Sequence, residues 1–130
     1  MAGEARMSAY YPEKLKGSWD FAKGIIEKAT QYGVYSIEQV EEKVLNLKWC
    51  LWCGEKSAVV TEEWIGDLGR CVTINFAGGD ISELLVMYEN IELAARSAGC
   101  VKIFISGRSG WKRVFRDKGF KDENLIGKEL

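Results

Sequence analysis

The spacing of apolar residues predicts two helices in the first part of the chain. Over residues 13–32, apolar side chains recur every three or four positions, which is typical of a helix that buries one face. A second helix is expected after Ser36, which can cap the first turn while Gln39 stands at the reciprocal capping-box position. The two apolar stripes are Leu15, Trp19, Ala22, Ile26 and Ala29, and then Ile37, Val40, Val44 and Leu47.

The pattern then changes to that of a sheet. Residues 48–53, 57–64 and 71–77 are rich in β-branched and aromatic residues, which favours three strands. Gly54-Glu55-Lys56 predicts a hairpin connection between the first two strands, and residues 65–70 are expected to form a turn before the third.

A long helix is predicted directly after Gly78-Gly79. Asp80 can serve as its N-cap, and Glu83 stands three residues later at the capping-box position. The apolar face of this helix is wide, and Gly99 marks its end.

The remaining segments complete the expected fold. The apolar run 101–106 suits a central strand, residues 107–110 a loop, residues 111–118 a short helix, and the tail from Phe120 a last strand. A strand, a long helix and a second strand in this order predict a right-handed crossover between parallel strands. The expected fold class is α/β (α+β), with a mixed sheet flanked by helices.

Composition adds mainly exclusions. The 130 residues fit one domain spanning 1–130, in which residues 1–12 precede the first helix and are expected to be flexible. A net charge of -1 indicates no bulk attraction to nucleic acid or to an anionic membrane. No apolar run approaches the roughly 20 residues of a membrane helix, and no signal peptide is recognisable, so secretion is not expected. The count of histidine is 0, which excludes Ser-His-Asp and Cys-His catalysis and imidazole metal sites.

The cysteines predict no metal site. Cys50 and Cys53 form a CxxC, but a zinc ribbon would need a second one, and Cys71 and Cys100 do not supply it. A redox CxxC normally opens a helix, whereas this one lies in a predicted strand. We interpret all four cysteines as small apolar residues of a reduced protein.

Two other features leave alternatives open. Both faces of residues 49–53 are apolar, so the second face needs a cover, either from a partner chain or from a helix of the same chain. Residues 102–121 are basic, which indicates a solvated face, a protein contact, phosphate binding near Arg108, or weak nucleic-acid contact. Trp111 and Phe115 within that segment could stack on bases or face the core.

The element order resembles that of the GNAT family of N-acetyltransferases. The sequence Phe115-Arg116-Asp117-Lys118-Gly119-Phe120 is similar to the Tyr-x-x-x-Gly-Phe near the end of the fourth helix of that family. A closer resemblance is to small GNAT-like proteins of tailed bacteriophages, which implies a phage origin. The three matching blocks are Gly54-Glu55-Lys56-Ser57-Ala58-Val59-Val60-Thr61-Glu62, Ala77-Gly78-Gly79 and Gly107-Arg108-Ser109-Gly110-Trp111.

The resemblance also implies a site for coenzyme A, from which this sequence departs. The family holds the pyrophosphate with a [Gln/Arg]-x-x-Gly-x-[Gly/Ala] loop before the long helix, where this chain has only Gly78-Gly79-Asp80. Carboxylates of Asp80 and Glu83 would repel a pyrophosphate there, so a tight capped turn is the favoured interpretation. Gly78, Gly79 and Arg108 remain the candidates for cofactor contact.

The catalytic residues implied by the resemblance are also incomplete. Phe115 stands at the position of the family's tyrosine and cannot donate a proton, and Arg108 stands at the position of an asparagine. Glu62 or Glu63 could serve as a general base.

These observations predict a non-catalytic phage protein, a virion component or accessory factor located in the host cytoplasm or the virion. Its expected partners are other protein chains, with no membrane, no nucleic acid and no cofactor. The alternative is a CoA-dependent N-acetyltransferase with a divergent loop, using acetyl-CoA. A third hypothesis is a nucleic-acid-binding module. If CoA binds, the third strand and the parallel strand after the long helix should separate; a closed sheet would argue against the enzyme.

Overall fold

A mixed sheet with helices on both faces forms the centre of the fold. The computed structural model describes residues 6–7, 14–31, 33–106 and 119. In that part the sheet has five strands in the order β1-β2-β3-β4-β5. The strands are β1 (Arg6–Met7), β2 (Cys50–Cys53), β3 (Ala58–Gly66), β4 (Gly69–Gly78) and β5 (Lys102–Ile105), and the helices are α1 (Leu15–Thr30), α2 (Ile37–Leu45) and α3 (Ile81–Ser97).

The two predicted N-terminal helices are confirmed. The α1 residues that are buried follow the predicted stripe of Leu15, Trp19, Ala22 and Ile26. The capping box of α2 is also present: Ser36 Oγ accepts a hydrogen bond from the Gln39 N–H at 3.2 Å, and Gln39 Oε1 accepts one from the Ser36 N–H at 2.9 Å. Local sequence therefore determines both ends of this segment.

The sheet is antiparallel from β1 to β4 and parallel between β4 and β5. The parallel pair is joined through α3, as the predicted crossover requires. Arg6 and Met7, within the segment expected to be flexible, pair with Cys53 and Trp52 at the edge of the sheet. The predicted mixed α/β class is confirmed.

The predicted turn over residues 65–70 is present but shorter than expected. Ile65 pairs with Arg70 and Gly66 with Gly69, so β3 and β4 run on to a hairpin whose connection is only Asp67 and Leu68. The φ of Gly69 is +135°, a conformation that glycine adopts without steric cost. Strand pairing overrides the glycine-rich composition of this segment.

Both apolar faces of β2 are covered by helices of the chain itself. Leu51 belongs to a core cluster with α1 and α2, and Trp52 belongs to a second cluster with α3. The sequence left two possible covers for the second face, a partner chain or a helix of the same chain. The structure shows helices of the same chain on both faces.

The CxxC of β2 is not arranged as a redox pair. Cys50 packs on the α3 cluster and Cys53 on the cluster of α1 and α2, so the two thiols face opposite sides of the sheet. Both are free, and burial raises the pKa of Cys53 to about 11. The thiol of Cys53 is therefore protonated and unreactive at neutral pH, in line with its interpretation as a small apolar residue.

Candidate active site

In the described residues, the parallel ladder between β4 and β5 ends before β4 does. The last paired residues are Ile74 and Ile105, and the Ser106 N–H donates to the Ile74 carbonyl at 3.0 Å. Strand β4 continues to Gly78, and within the described residues its segment 76–78 pairs with β3 alone. Within the described residues, the edge of β4 over 76–78 therefore extends beyond the end of β5.

A β-bulge lies in β4 directly after Ile74, the last described residue that pairs with β5. Val60 pairs with Phe76 and Thr61 pairs with Ile74, which makes Asn75 an extra residue on β4. A bulge bends its strand and increases the local twist. The bulge at Asn75 thus bends β4 directly after Ile74, its last described partner of β5.

An apolar cleft lies beside this bulge, on the face of the sheet that α3 covers. It is small: about 330 Å³ lies between the lining atoms, open solvent included, but only about 10 Å³ of this is wide enough for a water molecule. The residues that line it are Val59, Ile74, Ala77, Leu84, Tyr88, Ile91, Ile105 and Ser106. Because none of them carries a charge at neutral pH, the cleft suits a narrow uncharged chain and not an ionic group.

Glu62 and Glu63, the predicted general-base candidates, face opposite sides of β3. Thr61 accepts a hydrogen bond from the buried indole of Trp52, so it faces α3 and its neighbour Glu62 faces the other way. Glu62 is half-buried, and its carboxylate accepts a hydrogen bond from the Asn75 side-chain amide at 3.1 Å. Glu62 therefore reaches the bulged residue from the face opposite to the cleft.

Glu63 has a different environment. It is exposed, and its carboxylate lies 3.3 Å from the guanidinium of Arg70 across the hairpin. Its Cα stands opposite that of Val72, two residues before the last β4 residue that pairs with β5. Of the two glutamates, Glu62 is therefore the one that contacts the bulged residue Asn75.

Tyr88 is a cleft residue that the sequence analysis placed only on an apolar helix face. Its hydroxyl donates a hydrogen bond to the Glu92 carboxylate at 2.6 Å. Burial and the neighbouring Glu92 carboxylate raise the pKa of Tyr88 well above its ordinary value, so the phenol keeps its proton at neutral pH. The signal available in the sequence was the four-residue spacing of the tyrosine and the glutamate on one helix face.

Gly78 and Gly79 lie in close contact with the chain's own backbone. A Cβ on Gly78 would lie 3.2 Å from the carbonyl oxygen of Ile25 on α1. The φ of Gly79 is +121°, and a Cβ there would lie 2.5 Å from the carbonyl oxygen of Lys56. Both glycines therefore let the connection from β4 to α3 pack against α1 and the β2–β3 hairpin.

Glu83 holds this hairpin against the start of α3. Its carboxylate accepts hydrogen bonds from the N–H groups of Glu55 at 2.8 Å and Lys56 at 2.9 Å. The predicted capping box is thus half correct. Asp80 Oδ1 does accept the Glu83 N–H at 2.9 Å, but the Asp80 N–H donates to Ser57 Oγ at 2.9 Å and not to Glu83. We refer to residues 54–57 with Gly79, Asp80 and Glu83 as the α3 corner.

The α3 corner is electrostatically negative. Burial acts to raise the pKa of Glu83, but hydrogen bonds from the Ser57 side chain and from the N–H groups of Lys56 and Glu55 outweigh it and lower the pKa below its ordinary value. Together with Asp80, Glu83 places two carboxylates in the first turn of α3. The Asp80 carboxylate binds the Glu83 N–H at the helix end, and the Glu83 carboxylate binds two N–H groups of the hairpin.

Several predicted residues lie outside the described part of the chain. They are Arg108, Trp111 and Phe115, with the predicted loop, short helix and last strand that hold them. Lys102, at the start of the basic segment, is described, and its ammonium group lies 5.8 Å from the ring centre of Phe104. Within the described ranges no cluster of three or more Cys, Asp and Glu is placed to bind a metal ion, and no helix has the length and apolar character to cross a membrane.

Comparison with known proteins identifies the fold. No family model and no curated protein matches the sequence. Solved structures do match: a "probable acetyltransferase" superposes with a TM-score of 0.69 at 13% identity, covering 92% of both chains. A predicted acetyltransferase from Clostridium acetobutylicum, solved with acetyl-CoA, gives a TM-score of 0.67 at 12% identity, covering 97% of this chain and 94% of the other. A GCN5-related N-acetyltransferase from Ralstonia eutropha gives 0.62 at 8% identity, covering 92% and 94%.

The chain has the GNAT fold. At these identities the likeness concerns the fold and not the activity, so the site must be argued from its own residues. The resemblance inferred from element order is confirmed at that level, while the phage origin stays a prediction.

Proposed function

We propose that this chain is a CoA-dependent N-acetyltransferase that transfers an acyl group from a pantetheine thioester to an amine. The observation that carries the proposal is the apolar cleft beside the bulge in β4, at the point where the described β4–β5 ladder ends. A GNAT-fold neighbour was solved with acetyl-CoA, which makes the same ligand class the first to test. The geometry thereby favours the enzyme over the non-catalytic protein that the sequence predicted.

The cleft and the open strand edge complement the two halves of a pantetheine arm. Over residues 76–78 the edge of β4 has no β5 partner in the described part of the chain, and its backbone N–H and C=O groups could bind amides in the manner of an added strand. Ala77, Leu84 and Ile105 surround the space where the thioester end would lie and exclude water from it. The bound thioester supplies an electrophilic carbonyl.

Glu62 is the residue that we expect to act on the incoming amine. It reaches the bulged residue Asn75 from the face opposite the cleft, so the amine and the thioester would approach from different sides of the sheet. The amine nitrogen bonds to the carbonyl carbon, the C–S bond breaks, and Glu62 accepts the proton that the nitrogen loses. The released thiolate takes up a proton from water, because Tyr88 donates its own proton to Glu92 and has a raised pKa.

Thermal unfolding with and without acetyl-CoA tests the proposal. A ligand present at about 100 times its Kd stabilises the folded state by about 2.7 kcal/mol, which corresponds to several degrees in Tm. We expect such a shift at millimolar acetyl-CoA and none with ADP, which lacks the arm. No shift with acetyl-CoA would contradict the proposal.

A second candidate is the non-catalytic binding protein, including the predicted virion component. It is favoured by the α3 corner, where carboxylates occupy the helix end that would hold a pyrophosphate. Acetyl transfer to a panel of amines, followed by mass spectrometry, separates the two: binding without product supports this candidate. Detection of the chain in purified phage particles would support virion association, and its absence from them would contradict that role.

A further inference from the structure

We infer that the site recognises its donor by the acyl-pantetheine arm and has no binding site for the nucleotide diphosphate at the start of α3. The inference rests on the proposed function and narrows its substrate class to thioesters of pantetheine, whatever is attached beyond the arm. It follows from the different structures of the cleft and the α3 corner.

The first step concerns space. The hairpin backbone lies directly against the β4–α3 connection, since a Cβ on Gly79 would lie 2.5 Å from the carbonyl oxygen of Lys56. On the other side, a Cβ on Gly54 would lie 2.6 Å from the carboxyl carbon of Glu83. The side of the α3 corner that faces the hairpin is therefore filled by the chain itself, although Gly79 and Asp80 are exposed on the other side.

The second step concerns hydrogen bonds. Helix N–H groups attract phosphate because they lack partners within the helix. Here the Asp80 N–H donates to Ser57 and the Glu83 N–H donates to Asp80. The hairpin N–H groups of Glu55 and Lys56 donate to Glu83. These four donors are already used by side chains of the corner.

The third step concerns charge. Asp80 and Glu83 place two carboxylates in the first turn, and Glu55 adds another on the adjoining hairpin. The one cationic side chain in the corner is that of Lys56, which is exposed. A diphosphate at this position would meet more negative than positive charge, which opposes binding.

The experiment compares two donors that share the arm and differ in the nucleotide. Isothermal titration of the full chain measures the Kd of acetyl-CoA and of S-acetylpantetheine at 50 mM and 500 mM NaCl. We expect the two Kd values to agree within about threefold, with less than a twofold change over this salt range, because no phosphate is paired with a cation. The variant Lys56→Ala is expected to leave both values unchanged.

The outcomes separate this inference from the proposed function. If acetyl-CoA binds at least about thirtyfold more tightly than S-acetylpantetheine, or loses affinity with salt while S-acetylpantetheine does not, the proposed function stands and the inference is overturned. If neither compound binds, both are overturned. Titration with an acetylated acyl carrier protein identifies the source of the arm. A lower Kd than that of S-acetylpantetheine supports the inference with the carrier protein as donor. An equal Kd supports the inference with CoA as donor.

Discussion

The apolar cleft and the α3 corner are neighbours, because Ala77 and Leu84 of the cleft stand close to Gly79 and Glu83 of the corner along the chain, yet their side chains differ in kind. The cleft is apolar and open, and it borders a strand edge with no β5 partner in the described residues. The α3 corner is polar and closed, with its N–H groups bonded to Glu83, Asp80 and Ser57. The cleft is available to a ligand, and the hairpin side of the α3 corner is occupied by the chain.

The two regions depend on different kinds of interaction. The bulge at Asn75 and the end of the described β4–β5 ladder at Ile74 are backbone features, set by how the strands pair. Closure of the α3 corner depends instead on a few side chains, chiefly Glu83 and Ser57. Substitutions at the α3 corner should therefore leave the strand pairing of the sheet unchanged.

The largest expected effect is on catalysis at the cleft. Glu62→Gln keeps the shape of the side chain but cannot accept a proton, so the rate of acetyl transfer should fall by about a hundredfold to a thousandfold. The measurement is the initial rate of thiol release from acetyl-CoA with an amine acceptor. Glu63→Gln, on the opposite face of the same strand, is the matched control and should change the rate by less than about twofold. Equal losses in both variants would remove Glu62 from the proposed role.

The next effect is on stability at the α3 corner. Gly79→Ala combines a strained φ of +121° with a contact of 2.5 Å to the Lys56 carbonyl oxygen, so we expect a loss of about 3 kcal/mol in the free energy of unfolding. Tm should fall by roughly 10 °C.

Gly24→Ala is the control for this substitution. A Cβ on Gly24 meets nothing within 4 Å inside α1, so alanine should stabilise the chain by about 0.5–1 kcal/mol through its higher helix propensity. An unchanged Tm for Gly79→Ala would show that the hairpin can move and that the corner is not closed.

A smaller effect is expected on binding in the cleft. Ala77→Leu adds bulk to a lining residue near the end of β4 and should weaken acetyl-CoA binding about tenfold, equivalent to about 1.4 kcal/mol. Ala98→Leu, at the exposed C-terminal end of α3, is the control and should leave the Kd unchanged. Unaltered binding to Ala77→Leu would place the ligand outside this cleft.

The smallest effect is the pH-dependent contribution of Glu83. Because its folded-state pKa is lowered from the ordinary value of 4.5, the ionised carboxylate stabilises the fold above about pH 4.5, and this contribution is lost as the pH falls through the folded-state pKa. Glu83→Gln should therefore cost about 1 kcal/mol at pH 7, a modest figure because solvent screens the group.

Urea unfolding of wild type and Glu83→Gln at pH 7 and pH 3 measures this difference, which should shrink at the lower pH. Glu55→Gln, in the same hairpin, retains the backbone N–H bond to Glu83 and should have little effect at either pH. A difference that is independent of pH would mean that the charge of Glu83 does not hold the hairpin.

Local sequence determined the helices, the order of elements and the fold class. The stripe from Leu15 to Ile26 and the pairing of Ser36 with Gln39 involve residues within one or two helical turns, and such short-range interactions can be read from the chain. The same locality explains why Asp80 was correctly assigned as a cap.

Only the tertiary structure decided which interactions these residues make with distant parts of the chain. Glu83 had a local partner available in the capping box, but it binds the hairpin 27 and 28 residues away. Likewise, Glu62 and Glu63 are adjacent in sequence. Only strand pairing and the bulge in β4 bring Glu62, and not Glu63, into contact with Asn75. Sequence specifies which groups are present and which short-range bonds they favour. Packing of the sheet against α1 and α3 determines which of those groups meet. That packing thereby decides that the cleft is open and that the hairpin side of the α3 corner is occupied.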